Sequence, residues 1–530
     1  MVDSQGAAAT AGGIGEALTQ EHKLRHDLGF WGLTAIGFSN IVGSGWLFAA
    51  LYAAQTAGPA SILAWLGAGV LCGLVALVMV ELGVSRPEGG GTVRWPLFAS
   101  GRLVGTLIGW STLLSVGGTA AEISAIMQYA GHYLPGVYAN GRITGTGYAV
   151  AIGLTVVLSA LNWFAVRVFA RFNNLISAFK VGVPILTVIA LLASGYQSGR
   201  MNDPALGGFA PYGYAAMLSA LAGGGIVYSL NGFQAPLDFS GEARNPRRTI
   251  AGSVLTGIGL ALLIYLALQI AFLFTVPESL LGHGWKGVSF DSPFGQLALI
   301  LNLQWLSSLL YFDAVVSPGG SAYVGVGIDA RHTYALAKNG TLPQSVMQVH
   351  DRSGIPRRAL LLNFVIIIIF LLPFGGSWQR IVSVMGDMYL LIYAASAVAV
   401  AVLRQRPDGG LIGFVPGLTW IAPLSFIVAS EFVYWSGWHD LRLALPLVLI
   451  GLPLFLFVRR EGQAQGSLKE ELLSGAWLVV YLLLLTLLSW LGSFKGSDHL
   501  PAPYDSITVA VLSAALFVWA VRSGRALRSE

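Results

Sequence analysis

Ile36-Gly37-Phe38-Ser39-Asn40-Ile41-Val42-Gly43-Ser44-Gly45-Trp46-Leu47-Phe48 lies inside an apolar run long enough to cross a bilayer, yet two glycines flank a serine at its centre. In lipid, a backbone N–H or C=O that leaves its helix finds no water to replace the lost bond, so a weak point at that depth has to be satisfied from within the protein. The stretch therefore reads as a helix that unwinds in mid-membrane. Gly223-Gly224-Gly225-Ile226-Val227-Tyr228-Ser229-Leu230-Asn231-Gly232-Phe233 repeats the pattern in the sixth apolar segment. A single Gly-x-Gly is also a common close-packing contact between helices. Two interruptions, each opening a block of five segments, favour an inverted-repeat transporter with its site at the bilayer midplane. The freed N–H groups of such a break hold a carboxylate, and the freed carbonyls hold an ammonium or another cation.

The rest of the chain supports a membrane setting. Charged residues make up 10% of the 530 residues and apolar ones 55%, against about 25% charged in an ordinary soluble protein. Runs such as Phe364 to Phe370 are continuously apolar. A membrane β-barrel alternates instead, so the fold class is all-α, a polytopic membrane protein. The single cysteine, Cys72, excludes a disulfide, a thiolate metal site and a redox pair. The first 22 residues have no basic n-region and no apolar core, so no cleavable signal peptide is expected.

Apolar segments fall at 29–53, 60–84, 102–131, 145–165, 172–194, 213–238, 250–275, 296–328, 359–374, 379–403, 413–435, 441–458, 471–492 and 506–522, giving about 14 transmembrane helices. With the N-terminus inside, 23 Lys and Arg fall in inner loops and tails and six in outer loops. Basic residues are retained on the cytoplasmic side, so both termini are expected there and the protein in the plasma (inner) membrane. The expected organisation is a cytoplasmic tail at 1–28, a five-helix repeat at 29–194, an external loop at 195–212, a second repeat at 213–403, four further helices at 404–522 and a cytoplasmic tail at 523–530.

Several motifs resemble the amino acid, polyamine and organocation transporters with the leucine-transporter fold. Gly43-Ser44-Gly45 is similar to their first-helix signature, and Glu81-Leu82-Gly83 followed by Pro87-Glu88-Gly89-Gly90-Gly91 to the end of their second helix. Gly241-Glu242-Ala243-Arg244-Asn245-Pro246-Arg247-Arg248 resembles the cytoplasmic segment after helix six, and Asp329-Ala330-Arg331 through Ala337-Lys338-Asn339-Gly340-Thr341-Leu342-Pro343 the loop after helix eight. Ser317-Pro318-Gly319-Gly320, Pro423-Leu424-Ser425-Phe426, Tyr434-Trp435-Ser436-Gly437-Trp438 and Gly492-Ser493-Phe494 resemble the bacterial aspartate:proton symporter branch, which also implies 14 helices.

Lys180 lies about a third of the way into the fifth segment. A charged lysine there is expensive, which suits a residue that releases and regains a proton during a cycle. The resemblance places a coupling lysine at this position; the competing reading is a lysine that snorkels to the interface near Arg171. Glu122, inside the third segment, fits a second proton carrier, a partner for Lys180, a pocket residue for a cationic group, or a protonated acid bonded between helices. Substrate binding is expected at Val42, Gly43, Ser44, Gly45 and Trp46 and at Tyr228, Ser229, Leu230, Asn231 and Gly232. The latter occupy the family's Phe-Ala-Tyr-x-Gly-Phe position, with Leu230 in place of the usual tyrosine. Ser39, Asn40, Asn231 and Gln234 are candidate donors to a second carboxylate, and Trp46, Tyr228 and Phe233 candidate gates. Asp238, Asp313, Asp387 and Glu431 read as structural. Glu81 and Glu242 read as exposed members of a cytoplasmic gate with nearby arginines, and His332, with most other histidines, as interfacial.

The chain has no His-Glu-x-x-His, no Gly-x-Ser-x-Gly at an apolar boundary, no cysteine nucleophile and no Walker-type loop, and no loop could hold a sensor's output domain. The expectation is a secondary transporter that is not an enzyme. It imports an amino acid with protons, by the resemblance an acidic one such as aspartate; an amino acid/amine exchanger is the alternative. Expected partners are a small-molecule amino acid, protons and the lipid bilayer. No nucleic acid, cofactor or metal is expected, and nothing in the sequence specifies an oligomeric state.

Overall fold

The computed structural model describes residues 28–87, 91–164, 166–240, 243–350, 355–372, 375–406, 410–459 and 467–527, the side chains of 164–175 and 222 excepted. The tail at 1–27, the segment 88–90, Glu242 and residues 528–530 lie outside the described residues, as does the side chain of Arg171. The protein is an all-α polytopic membrane protein; its strands among the described residues are the short antiparallel pair Tyr138–Ala139 and Arg142–Ile143.

All fourteen apolar segments form helix. The first is α1 (Phe30–Ile41) followed by α2 (Gly45–Ala57), then α3 (Ser61–Ser85), α4 (Gly91–Leu114), α5 (Gly117–Ala130), α6 (Gly145–Phe164) and α7 (Val166–Gly195). The sixth segment is split into α8 (Tyr214–Gly223), α9 (Ile226–Leu230) and α10 (Ala235–Asp238). The chain continues through α11 (Pro246–Thr275), α12 (Pro293–Ile300), α13 (Gln304–Lys338), α14 (Arg357–Leu371) and α15 (Trp378–Leu403). It ends with α16 (Leu418–Ser436), α17 (Trp438–Leu449), α18 (Gly451–Val458), α19 (Leu468–Leu491) and α20 (Tyr504–Ala526).

By length and composition, ten stretches among the described residues qualify as membrane spans. The difference from fourteen has physical causes. Gly45–Ser85 runs α2 and α3 together as one stretch. The broken sixth segment has no continuous helix of sufficient length, α14 has 15 residues, and the centre of α13 is diluted by Asp313 and by Ser317-Pro318-Gly319-Gly320-Ser321.

Three boundaries differ from the sequence expectation. Helix starts at Gly91 rather than 102, and Gly101, at φ 81°, separates that first piece from the spanning part of α4. The eighth segment divides at Asn302, whose φ of 59° ends α12. The expected loop after the eighth helix is itself helical to Lys338, so Asp329 and His332 belong to a buried helix face.

Packing assigns the elements their places. Helix α11 lies against α1, α3 and α7; α13 lies against α5 and α7; and α15 lies against α4 and α16. Gln269 of α11 joins two neighbours, accepting from Trp65 Nε1 at 3.0 Å and donating to the Ala50 carbonyl at 3.1 Å. In the C-terminal part, Asp505 accepts bonds from Tyr434 (2.6 Å) and Ser493 Oγ (2.5 Å), fastening α20 to α16 and to the turn after α19.

Glu81 departs from its expected exposed gate role. It is fully buried at the end of α3 and accepts backbone N–H bonds from Gly413 (2.9 Å) and Val415 (2.7 Å), tying down the segment that leads into α16. Its carboxylate satisfies main-chain donors instead of arginines. Glu81→Ala strips both donors of their partner and is expected to cost about 2 kcal/mol, checked as a lowered unfolding temperature of the purified protein in detergent.

Candidate functional site

The first helix comes apart where the glycines allow it. α1 ends at Ile41, Val42 leaves helical geometry (φ −85°, ψ 82°), and α2 restarts at Gly45 with Ser44 as its cap. Several of the groups freed at this break have partners from other helices. The Ser44 N–H donates to Glu122 Oε2 at 2.7 Å, and Ser44 Oγ accepts from Trp378 Nε1 at 2.7 Å. The Ile41 carbonyl accepts from Tyr265 at 2.9 Å. The Ser39 carbonyl accepts from Lys180 Nζ and from Ser321 Oγ (2.7 Å), and the Val42 carbonyl from Ser321 Oγ at 3.3 Å.

Anion and cation thus sit where the broken helix calls for them. Glu122 lies at the positive N-terminal end of α2, and Lys180 lies at the carbonyl-rich end of α1. Glu122 also accepts from Tyr228 at 3.1 Å, and Lys180 donates to Ser321 Oγ at 2.8 Å. Lys180 is fully buried, so it is not a snorkelling side chain.

The sixth segment is broken twice. Gly225, at φ 75°, starts α9, and a Cβ there would stand 3.1 Å from the Trp378 ring. Leu230, expected within the break, is the last helical residue. The second break follows at Asn231, which is extended, and Gly232, at φ 103°. A Cβ on Gly232 would stand 2.8 Å from the Asn40 main chain, so the two broken segments touch there. The Gly232 N–H bonds to Gln234 Oε1 at 3.1 Å, and Tyr393 bonds to Asn231.

A cavity lies between these breaks. Asn40, Gly45, Glu122, Tyr228, Asn231 and Gly232 line it, together with Ser321, Asp329, His332 and Tyr389. On the α2 side of the first break lies a stack of rings: Trp378 stacks on Phe48 at 4.8 Å and on Tyr52 at 5.8 Å. At the cavity's other end, His332 Nε2 lies 3.1 Å from Asp238 Oδ1, to which Thr92 also donates at 2.7 Å. His332 is therefore no interfacial residue; it is 4% exposed and joins α13 to α10.

Of the ten expected substrate residues, Gly45, Tyr228, Asn231 and Gly232 border the cavity. Ser44 takes part through its bonds to Glu122 and Trp378. Val42 contributes its carbonyl, while Gly43 lets Glu122 and Ser321 approach the main chain. Trp46 does not face the cavity and stacks on Phe294 at 5.8 Å. Ser229 bonds to the Gly225 carbonyl at 2.7 Å, and its Cβ packs where a Gly45 side chain would lie. Leu230 is buried in α9. Of the candidate gates, Phe233 is buried against Tyr393. Trp378, Ser321 and Tyr389 were not singled out from the sequence, and Asp329 stood there only as the start of a loop motif. Ser321 directly follows the Ser317-Pro318-Gly319-Gly320 motif, which was the available signal.

Comparison with known proteins agrees with this architecture. A family model described as amino acid permease matches residues 28–452. The chain is 35% identical to the glutamate/serine transporter AimA of Bacillus subtilis over 95% of each chain. It is 33% identical to the aspartate-proton symporter of Bacillus subtilis, covering 96% of this chain and 98% of that protein. It is 25% identical to cationic amino acid transporter 4 of Mus musculus, covering 73% of this chain and 61% of that one.

A side chain at Gly43 would stand 2.6 Å from Glu122 Oε1 and 2.8 Å from Ser321 Oγ. Gly43→Ala therefore displaces both partners of the break, and amino acid binding to the purified protein is expected to weaken roughly tenfold or more, about 1.4 kcal/mol. Calorimetric titration measures it.

Proposed function

The chain belongs to the amino acid permease family and is an amino acid transporter; on that premise we propose that it carries a small amino acid, an acidic one such as aspartate, inward together with protons. One observation carries the proposal. Glu122 occupies the Ser44 N–H at the N-terminal end of α2, where the α-carboxylate of a substrate is best held. A substrate carboxylate and the Glu122 carboxylate compete for the same donor. Protonation of Glu122 removes its claim and lets the substrate bind, which ties loading of an amino acid to loading of a proton.

Lys180 sits on the other side of the same break, against the Ser39 carbonyl and Ser321. Its charge steadies the Ser39 carbonyl in one state, and its neutral form releases it in the other. The names of the two Bacillus relatives, a glutamate/serine transporter and an aspartate-proton symporter, support acidic substrates and proton coupling. Asn40, Asn231 and Gln234 supply amide donors toward a side-chain carboxylate. The basic residues of the inner loops support termini in the cytoplasm, with the His332 end of the cavity facing inward and the Trp378 ring stack facing outward. The first repeat would then be 29–194 and the second 213–403, rocking about the fixed site.

Reconstituted into proteoliposomes, the protein is expected to accumulate labelled aspartate, glutamate or serine several-fold faster when the outside is made acidic. Lys180→Ala is expected to abolish the gradient-driven component. Uptake indifferent to the gradient in the unaltered protein would overturn proton coupling, and uptake of other amino acids alone would overturn the acidic substrate.

A further inference from the structure

Helix α13 carries a row of small and polar residues at i, i+4 spacing: Asp313, Ser317, Ser321, Gly325 and Asp329. The row extends over roughly 24 Å at 1.5 Å per residue, most of the thickness of a bilayer core. Its lower part, from Ser321 to Asp329, borders the cavity. Its upper part leaves the cavity and ends at Asp313, which no step of the proposed transport cycle uses.

Asp313 is fully buried. One of its oxygens accepts from Ser317 Oγ at 2.7 Å and the other has no hydrogen-bond partner. The unpartnered oxygen, next to one that accepts from a hydroxyl, is a place where a proton can reside. The adjacent Pro318 lacks an N–H, so the Ala314 carbonyl loses its helical donor beside Asp313. The charged and titratable groups that face Asp313 are Lys180 from α7 and Tyr129 from α5. Tyr129 is packed 5.6 Å from Tyr311, whose ring stacks on His132 toward the protein surface.

Lys180 interacts electrostatically with Glu122 and with Asp313. It touches neither directly and lies flat against α13, its Cε 3.2 Å from the Cβ position of Gly320. Two carboxylates and one ammonium, all buried, would leave a net negative charge in a low-dielectric interior, so this trio is most stable with one extra proton. That proton has two resting places, on either side of the lysine.

We propose that Asp313 is the outer proton-binding residue of the coupling route, passing its proton by way of Lys180 to Glu122. The trio starts as a neutral Asp313 carboxylic acid, a Lys180 ammonium and a Glu122 carboxylate; in the first transfer the ammonium gives a proton to Glu122, which becomes a carboxylic acid and gives up the Ser44 N–H. In the second the Asp313 proton converts the Lys180 amine back to an ammonium and leaves Asp313 a carboxylate. No proton is gained or lost between the steps, and the next one enters at Asp313. The inference rests on the proton-coupled reading above, and the row on α13 explains how a proton reaches the break when the ring stack has closed that side to substrate.

The test uses the full chain in proteoliposomes with labelled aspartate or serine, whichever the unaltered protein accumulates. Asp313→Asn is expected to lower gradient-driven uptake at least tenfold while counterflow at equal pH stays within a factor of three. Retained gradient-driven uptake in this variant overturns the inference. If Asp313→Asn fails to fold, Ser317→Ala decides: it removes the one donor to Asp313, so the pH midpoint of uptake moves by roughly half a unit or more with counterflow intact. An unmoved midpoint overturns the inference as well. Absence of any gradient effect in the unaltered protein marks a failure of the coupling reading itself.

Discussion

A backbone break inside a bilayer has to be satisfied by the protein, and that requirement organises this molecule. Opening the chain between Ile41 and Gly45 exposes an amide at one end and several carbonyls at the other, with no solvent to receive them. Glu122, Ser321, Lys180, Tyr265 and Trp378, from five different helices, converge on it as partners. On the reading proposed above, Glu122, which helps hold the break together, competes with a substrate carboxylate for the Ser44 N–H. In the proposed mechanism, structural satisfaction and substrate binding are alternative uses of one set of dipoles.

The neighbourhood of the break explains much of the small-residue content nearby. Gly43 lets Glu122 and Ser321 reach the main chain, Gly320 lets Lys180 lie against α13, and Gly232 lets the sixth segment touch Asn40. At each point a Cβ would occupy space already filled by a polar partner or by backbone. These glycines admit close approach, and in Gly232 also a positive φ, so that polar groups from separate helices meet within hydrogen-bond distance.

The ionisable groups are distributed along the axis of this arrangement. Asp313 lies beyond the break on α13, Lys180 and Glu122 lie at it, and Asp329, His332 and Asp238 lie at the far end of the cavity. Intramembrane charge is expensive and persists where it is paired or used. Here the pairing crosses between elements, as in His332 of α13 with Asp238 of α10, so movement of the broken segments against α13 necessarily changes which of these groups can share a proton.

The sequence by itself determined the class of the molecule. Apolar length and composition require membrane helices, the glycine pairs at 43–45 and 223–225 mark where two of them weaken, and the cost of burying Lys180 and Glu122 marks both residues. Those signals are local, readable from residue type and spacing along one helix. Only the tertiary structure decided which side chains meet the break. Trp378 and Ser321 are hundreds of residues from Ser44 and Ser39; Ser321 has only the neighbouring Ser317-Pro318-Gly319-Gly320 motif to mark it, and nothing around Trp378 distinguishes it from an ordinary packing residue. His332 reads as interfacial and Glu81 as an exposed gate residue because each stands near the end of an apolar run, yet the packed protein buries both. Burial and hydrogen-bond partnership are properties of several helices packed together, so the positions that complete the site were settled by packing and not by local pattern.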